Sequence, residues 1–113
     1  MKVIDKAALA TPRSALCEYC GRYCRKPTER HHIICRGMGG GKRMDVPENL
    51  IDLGGPWDCE CHEAAQAAII TPEELLNKVA KREGRTVAWL KDFLNRLYLA
   101  PKGSSVDELR AQT

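Results

Sequence analysis

The run ERHHIICRGMGGGKRMDVPENLIDLGGPWDCECH, residues 29–62, sets the architecture expected of this chain. Arg30-His31-His32-Ile33-Ile34 reads as a short strand end. A loop rich in glycine and charge follows, from Arg36 through Gly37, Gly39, Gly40 and Gly41 to Lys42 and Arg43. Pro47-Glu48 then leads into Asn49-Leu50-Ile51-Asp52-Leu53, where apolar residues at 51 and 53 give the period of two of a strand. Gly54-Gly55-Pro56 ends it. From Asp58, a candidate N-cap, to Ile70 the residues are mostly helix formers. The order is strand, loop, strand, helix, and the fold class is α+β.

Outward from this run, the cysteines supply a second constraint. Cys17-Glu18-Tyr19-Cys20 is a C-x-x-C knuckle, and Cys59-Glu60-Cys61 follows about forty residues later with His62 directly after it. Two cysteine pairs converging from separate segments match the donor set of a tetrahedral structural zinc site with no open position. The one-residue gap between Cys59 and Cys61 is tighter than usual. Cys24 and Cys35 therefore stand as alternatives to Cys59, or as small buried thiols.

Composition narrows the class. The 113 residues, 43% hydrophobic and 29% charged, suit one globular domain rather than a disordered chain. No apolar run approaches the roughly 18 residues of a membrane span. Charge breaks the short apolar run near Met1, so no secretory signal is read there. A reducing interior, the cytoplasm, is the expected setting, and there paired cysteines favour metal over disulfide. Residues 1–47 hold ten Lys and Arg against four acids, and the remainder holds eight against eleven. That asymmetry points to a polyanionic partner for the first half.

Towards the C-terminus the pattern is helical. Thr71-Pro72-Glu73-Glu74 combines an N-cap, a proline at the first position and a capping-box glutamate. Leu75, Leu76 and Val79 form its stripe, and Gly84 stops it. A second helix begins near Thr86, with Val87, Leu90, Leu94 and Leu97 on one face beside Trp89 and Phe93. Ser105 opens a last short helix. We expect residues 1–14 to be a flexible arm, 15–70 a chemical core, and 71–113 a helical extension packed on that core.

Hydrolysis of a phosphodiester needs a base for water, a cation for the leaving oxygen, and fixed geometry. A histidine suits the first, a divalent ion the second, and an asparagine that hydrogen-bonds the base's backbone or ring surroundings the third. The histidine pair 31–32, Gly39-Gly40, the segment Asn49 to Leu53, and Cys61-His62 occur in an order that resembles the HNH nuclease family. The likeness is greatest to small bacteriophage members with a zinc knuckle, and it spans roughly residues 17–66.

This resemblance implies a ββα-metal (His-Me finger) core that nicks or cuts DNA with low sequence specificity. His32 would be the general base, and Asn49 would fix the loop and orient that base. His31 and His62 would hold the catalytic divalent ion, such as Mg²⁺ or Mn²⁺. Cys17, Cys20, Cys59 and Cys61 would hold structural Zn²⁺. Gln66 stands where many relatives carry a further histidine, and Asp58 is either a third ligand or a cap. Arg36, Lys42 and Arg43 would contact phosphate, with Arg22, Arg25 and Lys26 as a second basic cluster. DNA is the expected partner of a monomer, with a phage terminase as a second partner in packaging. The competing expectations are a non-catalytic, zinc-stabilised nucleic-acid-binding module or an adaptor.

Overall fold

The computed structural model describes residues 2–4, 12–34, 43–101 and 103–112. Among these described residues there are four strands: β1 (Lys2–Ile4), β2 (Glu29–His32), β3 (Arg43–Asp45) and β4 (Leu50–Leu53). A 3-10 turn at Pro47–Asn49 separates β3 from β4. The helices that follow are α1 (Cys61–Gln66), α2 (Pro72–Glu83), α3 (Val87–Leu99) and α4 (Val106–Ala111). The fold is a small, compact α+β arrangement. No helix among the described residues is long and apolar enough to cross a membrane.

Strands β2 and β4 pair antiparallel, with Glu29 opposite Leu53, Arg30 opposite Asp52, His31 opposite Ile51 and His32 opposite Leu50. All four β4 residues are buried, so both of its faces are covered. Ile51 and Leu53 join the hydrophobic core. Asp52 is buried because its carboxylate is spent on three donors: Ser14 N at 2.9 Å, Arg30 Nε at 2.9 Å and Arg30 Nη2 at 3.2 Å. A buried carboxylate is tolerable only with such partners.

Strands β1 and β3 pair in parallel, Lys2 opposite Arg43 and Ile4 opposite Asp45. Part of the segment expected to be a loose arm is therefore a strand. Beyond it, Ser14 is tied to the core through Asp52 and through Thr28, whose hydroxyl donates to the Ser14 carbonyl at 2.7 Å.

The C-terminal helices form as their caps dictate. Thr71 Oγ1 accepts from Glu74 N and Glu74 Oε2 accepts from Thr71 N, both at 3.2 Å, which closes the capping box. Gly84, at φ 68°, ends α2 in the left-handed conformation that glycine adopts without steric cost. Thr86 Oγ1 accepts from Trp89 N at 3.0 Å and Ser105 Oγ from Glu108 N at 3.3 Å, which caps α3 and α4. Leu75, Leu76 and Val79 of α2 and Leu90, Phe93, Leu94 and Leu97 of α3 are buried with Met44, Val46, Ile51 and Leu53. Each such side chain contributes roughly 1.5–3 kcal/mol. Arg82 of α2 donates to the carbonyls of Leu50 (3.0 Å) and Pro47 (2.6 Å), which fixes the helix against the entry to β4.

The helix expected over 58–70 is shorter. It starts at Cys61, after Glu60 takes a left-handed φ of 62°, and it ends before Ala68, again left-handed at φ 60°. Asp58 is not its cap. Its carboxylate instead accepts from the backbone N–H groups of Arg25 (2.9 Å) and Lys26 (3.2 Å).

Candidate metal and histidine sites

The knuckle is a tight reversal held by its own backbone. Cys17 N donates to Arg22 O at 2.9 Å, Gly21 N to Cys17 O at 2.9 Å, and Cys24 N to Ala15 O at 3.0 Å. Glu18 N donates to Asp52 O at 2.8 Å, and Asp52 N to Glu18 Oε1 at 2.8 Å, which docks the knuckle on β4. From the other side, the turn before α1 brings up its own two cysteines. The sulfurs of Cys17, Cys20, Cys59 and Cys61 all lie within 4.8 Å of one another. These four form a candidate metal-binding site compatible with structural zinc.

Cys59, and not Cys24, completes this group. Cys24 is buried beside it, with its thiol 3.7 Å from the Arg22 carbonyl. Cys35 lies outside the described residues. Gly54 is needed here for space, because a Cβ would sit 2.4 Å from the Cys59 sulfur. Burial works against a Cys17 thiolate, yet the N–H groups of Cys20, Gly54 and Tyr19 outweigh it and bring the thiol down to about 7. Burial pushes Cys61 upward, and the neighbouring Cys59 and Cys17 sulfurs add to the shift. Sulfurs crowded this closely ionise together only around a cation.

A second constellation lies where β2 meets α1. Side chains alternate along a strand, so Glu29 and His31 share one face and Arg30 takes the other, against Asp52. On the Glu29 face, α1 presents His62, positioned by its own N–H donating to Gly54 O at 3.1 Å. The His31 and His62 ring centroids are 5.2 Å apart at an interplanar angle of 74°. His62 Nδ1 is 2.7 Å from Glu29 Oε1. Burial, reinforced by the charge that His62 and His32 would carry, pulls His31 down to about 4. It is therefore neutral at neutral pH, the form in which imidazole binds metal.

Glu63 adds a carboxylate. Its oxygen, one of Glu29 and a His62 nitrogen lie within 4.8 Å of one another. Glu63 Oε2 is buried and has no hydrogen-bond partner. Two carboxylates and an imidazole converging around an orphaned oxygen suit a divalent cation. Neither glutamate was assigned a role from the sequence. The spacing of two between Glu29 and His31 on a strand was the available signal; for Glu63 there was none beyond adjacency to His62.

His32 takes a different neighbour. Its Nε2 pairs with Oδ1 of Asp45 on β3, a residue only 1% exposed. A carboxylate in that position fixes the orientation and tautomer of the ring. Asn49, wholly buried, closes the end of β2. Its backbone carbonyl accepts from Ile33 N at 2.9 Å, and its Oδ1 accepts from Ile34 N at 2.8 Å. Its Nδ2 donates to Ile34 O at 3.2 Å and to Met44 O at 3.0 Å. The amide thus ties the ends of the histidine strand to β3.

Asn49→Ala removes three bonds at once and leaves buried backbone groups without these partners. We expect it to lower unfolding free energy by about 2–4 kcal/mol, read as a shifted urea midpoint at unchanged slope. A change below about 0.5 kcal/mol, within the range of an ordinary surface substitution, would contradict this account of the amide.

The structure thus brings His31 to His62, and Asn49 to the backbone that carries the histidines. His32 is held by Asp45, within electrostatic reach of His31. Asp58 is committed to the Arg25–Lys26 backbone rather than to this site. Arg36 and Lys42 lie outside the described residues, as does the Arg43 side chain. Comparison with known proteins finds no family model that matches the chain, no matching curated protein and no matching solved structure.

Proposed function

We propose that this chain is a metal-dependent endonuclease of the HNH type, with a ββα-metal core, that hydrolyses DNA phosphodiester bonds with low sequence specificity. The observation that carries the reading is the meeting of His31 from β2 and His62 from α1, ring against ring, beside two carboxylates. Thirty residues separate these two histidines in the chain, and the fold brings their rings together where Glu29 and Glu63 approach His62.

In this reading His31 and His62 would hold the catalytic ion, with Glu29 orienting His62 through Nδ1 and Glu63 supplying a further oxygen. When bound, such an ion stabilises charge on the leaving oxygen. His32, oriented by Asp45, takes the proton from the attacking water. Asn49 keeps the two strand ends together, and so keeps the His31 and His32 backbone in register with β3. Cys17, Cys20, Cys59 and Cys61 would hold a structural zinc that joins the knuckle to the start of α1. Arg36, Lys42 and Arg43 would position the phosphate backbone without reading bases.

Supercoiled plasmid incubated with the protein and Mg²⁺, Mn²⁺ or no divalent ion tests this. Conversion to open-circular or linear DNA only with metal is the expected result. Binding without conversion in any of several divalent metals would instead leave a non-catalytic nucleic-acid-binding module.

A further inference from the structure

Trp57 is 73% exposed, yet the turn that carries it is firmly built. Asp58 N and Glu60 N both donate to Gly55 O at 3.1 Å, which fixes the backbone on either side of the indole. The Asp58 carboxylate, itself only 6% exposed, grips the Arg25 and Lys26 N–H groups. The Arg25 guanidinium returns to the Trp57 carbonyl at 3.1 Å. Two loops distant in sequence are thereby locked into one surface, with an indole and two cations presented to solvent. Tyr23, also exposed at 71%, precedes Arg25 by two residues, and Arg22 is exposed beside it.

Between the two loops lies a cavity of about 300 Å³, bordered by Lys26, Pro27 and Trp57 and reaching Glu29. Glu29 is the carboxylate that holds His62. The cavity therefore shares Glu29 with the candidate catalytic centre. Asp58 is turned onto backbone amides and Glu29 onto His62, while the Arg25 and Lys26 side chains stand exposed at the rim.

We propose that the Trp57 turn and the Arg25–Lys26 loop receive an unpaired stretch of DNA next to the bond to be cut. This rests on the nucleic-acid part of the reading above and adds the substrate class. An indole standing out from a fixed turn offers a flat π-face, and a nucleobase offers its own face only when it is out of a duplex stack. Arg25 and Lys26 meet the phosphates on either side of that base. The neighbouring nucleotide then enters the cavity towards Glu29 and His62. Preferred substrates are thus single strands, flaps or gapped duplexes rather than continuous duplex.

The test is equilibrium binding of a labelled oligo(dT) and of a duplex of equal length, by anisotropy, with no divalent ion added. Trp57→Ala is expected to weaken single-strand binding by about ten-fold and duplex binding by less than about two-fold, because phosphate contacts are unchanged. Trp57→Tyr keeps an aromatic face and should retain most of the affinity. Oligo(dT) should also quench the intrinsic tryptophan emission of the native chain. In Trp57→Tyr that quench disappears, because the remaining Trp89 is stacked on Phe93, centroids 5.0 Å apart and nearly parallel. Unchanged single-strand affinity in Trp57→Ala, or equal losses on both DNAs, overturns the proposal. So does a native chain that fails to bind oligo(dT). None of these readouts depends on cleavage, so failure of this surface and failure of the nuclease reading are separately visible.

Discussion

His32→Ala is expected to slow metal-dependent plasmid conversion by about 10²- to 10⁴-fold, the range for losing a positioned general base. The metal should still bind, because His31, His62 and the two glutamates occupy the other side of β2. The His32 side chain is about a quarter exposed, so its truncation opens little of the core. Asp45 is the informative second position. Asp45→Asn preserves the shape of the buried side chain but replaces a carboxylate acceptor by an amide, which favours the wrong ring tautomer. It too should lose activity, with metal affinity unchanged. Single-turnover rates on supercoiled plasmid, with metal affinity measured separately by calorimetry, distinguish the two effects. Equal rates for native protein and His32→Ala would remove this histidine from the chemistry. A loss of rate matched by an equal loss of metal affinity would move it into the ligand set.

What the sequence made legible is what local chemistry specifies. The capping box at Thr71 and the glycine stop at Gly84 bound α2 as read. The period of two at Ile51 and Leu53 marks β4, and two of the histidines singled out in the sequence, His31 and His62, meet in the fold. Long-range pairings left no such trace. Lys2 and Arg43 lie forty-one residues apart, and a parallel three-residue pairing has no turn to announce it. Asp45 became the partner of His32 only because β3 is placed by β1 and by Asn49.

The start of α1 departs from the sequence pattern for a different reason. Helix propensity ran from Asp58, but Cys59 and Cys61 must deliver both sulfurs to one point with a single residue between them. Glu60 accommodates this in the left-handed region, at a cost of about 1–3 kcal/mol for a non-glycine residue. The convergence of the four sulfurs therefore overrode local preference. Gly54, which must admit the Cys59 sulfur, is part of the same device.

That device carries the largest stability effect expected of a single substitution. Cys17 is 1% exposed and central to the four-sulfur group. Cys17→Ser replaces a soft thiolate by a hydroxyl that stays protonated at neutral pH and binds zinc poorly. Structural zinc sites contribute roughly 10–16 kcal/mol of apparent binding free energy, which matches or exceeds the roughly 5–15 kcal/mol that holds a typical domain. The variant should therefore lose its zinc and, with it, the docking of the knuckle on β4 and the fixed start of α1. His62 depends on that start, so the His31–His62 contact should dissolve and added Mg²⁺ should not restore cleavage. Helices α2 and α3, which carry their own caps and apolar stripes, should retain part of the far-ultraviolet helical signal while cooperative melting is lost. Cys24→Ser is the matched control: it is also buried, but it lies outside the four-sulfur group, and it should keep about one zinc per chain. Elemental analysis and thermal melts of both variants decide the matter. A Cys17→Ser protein that holds stoichiometric zinc and melts with the native chain would show that these four sulfurs do not clamp the fold.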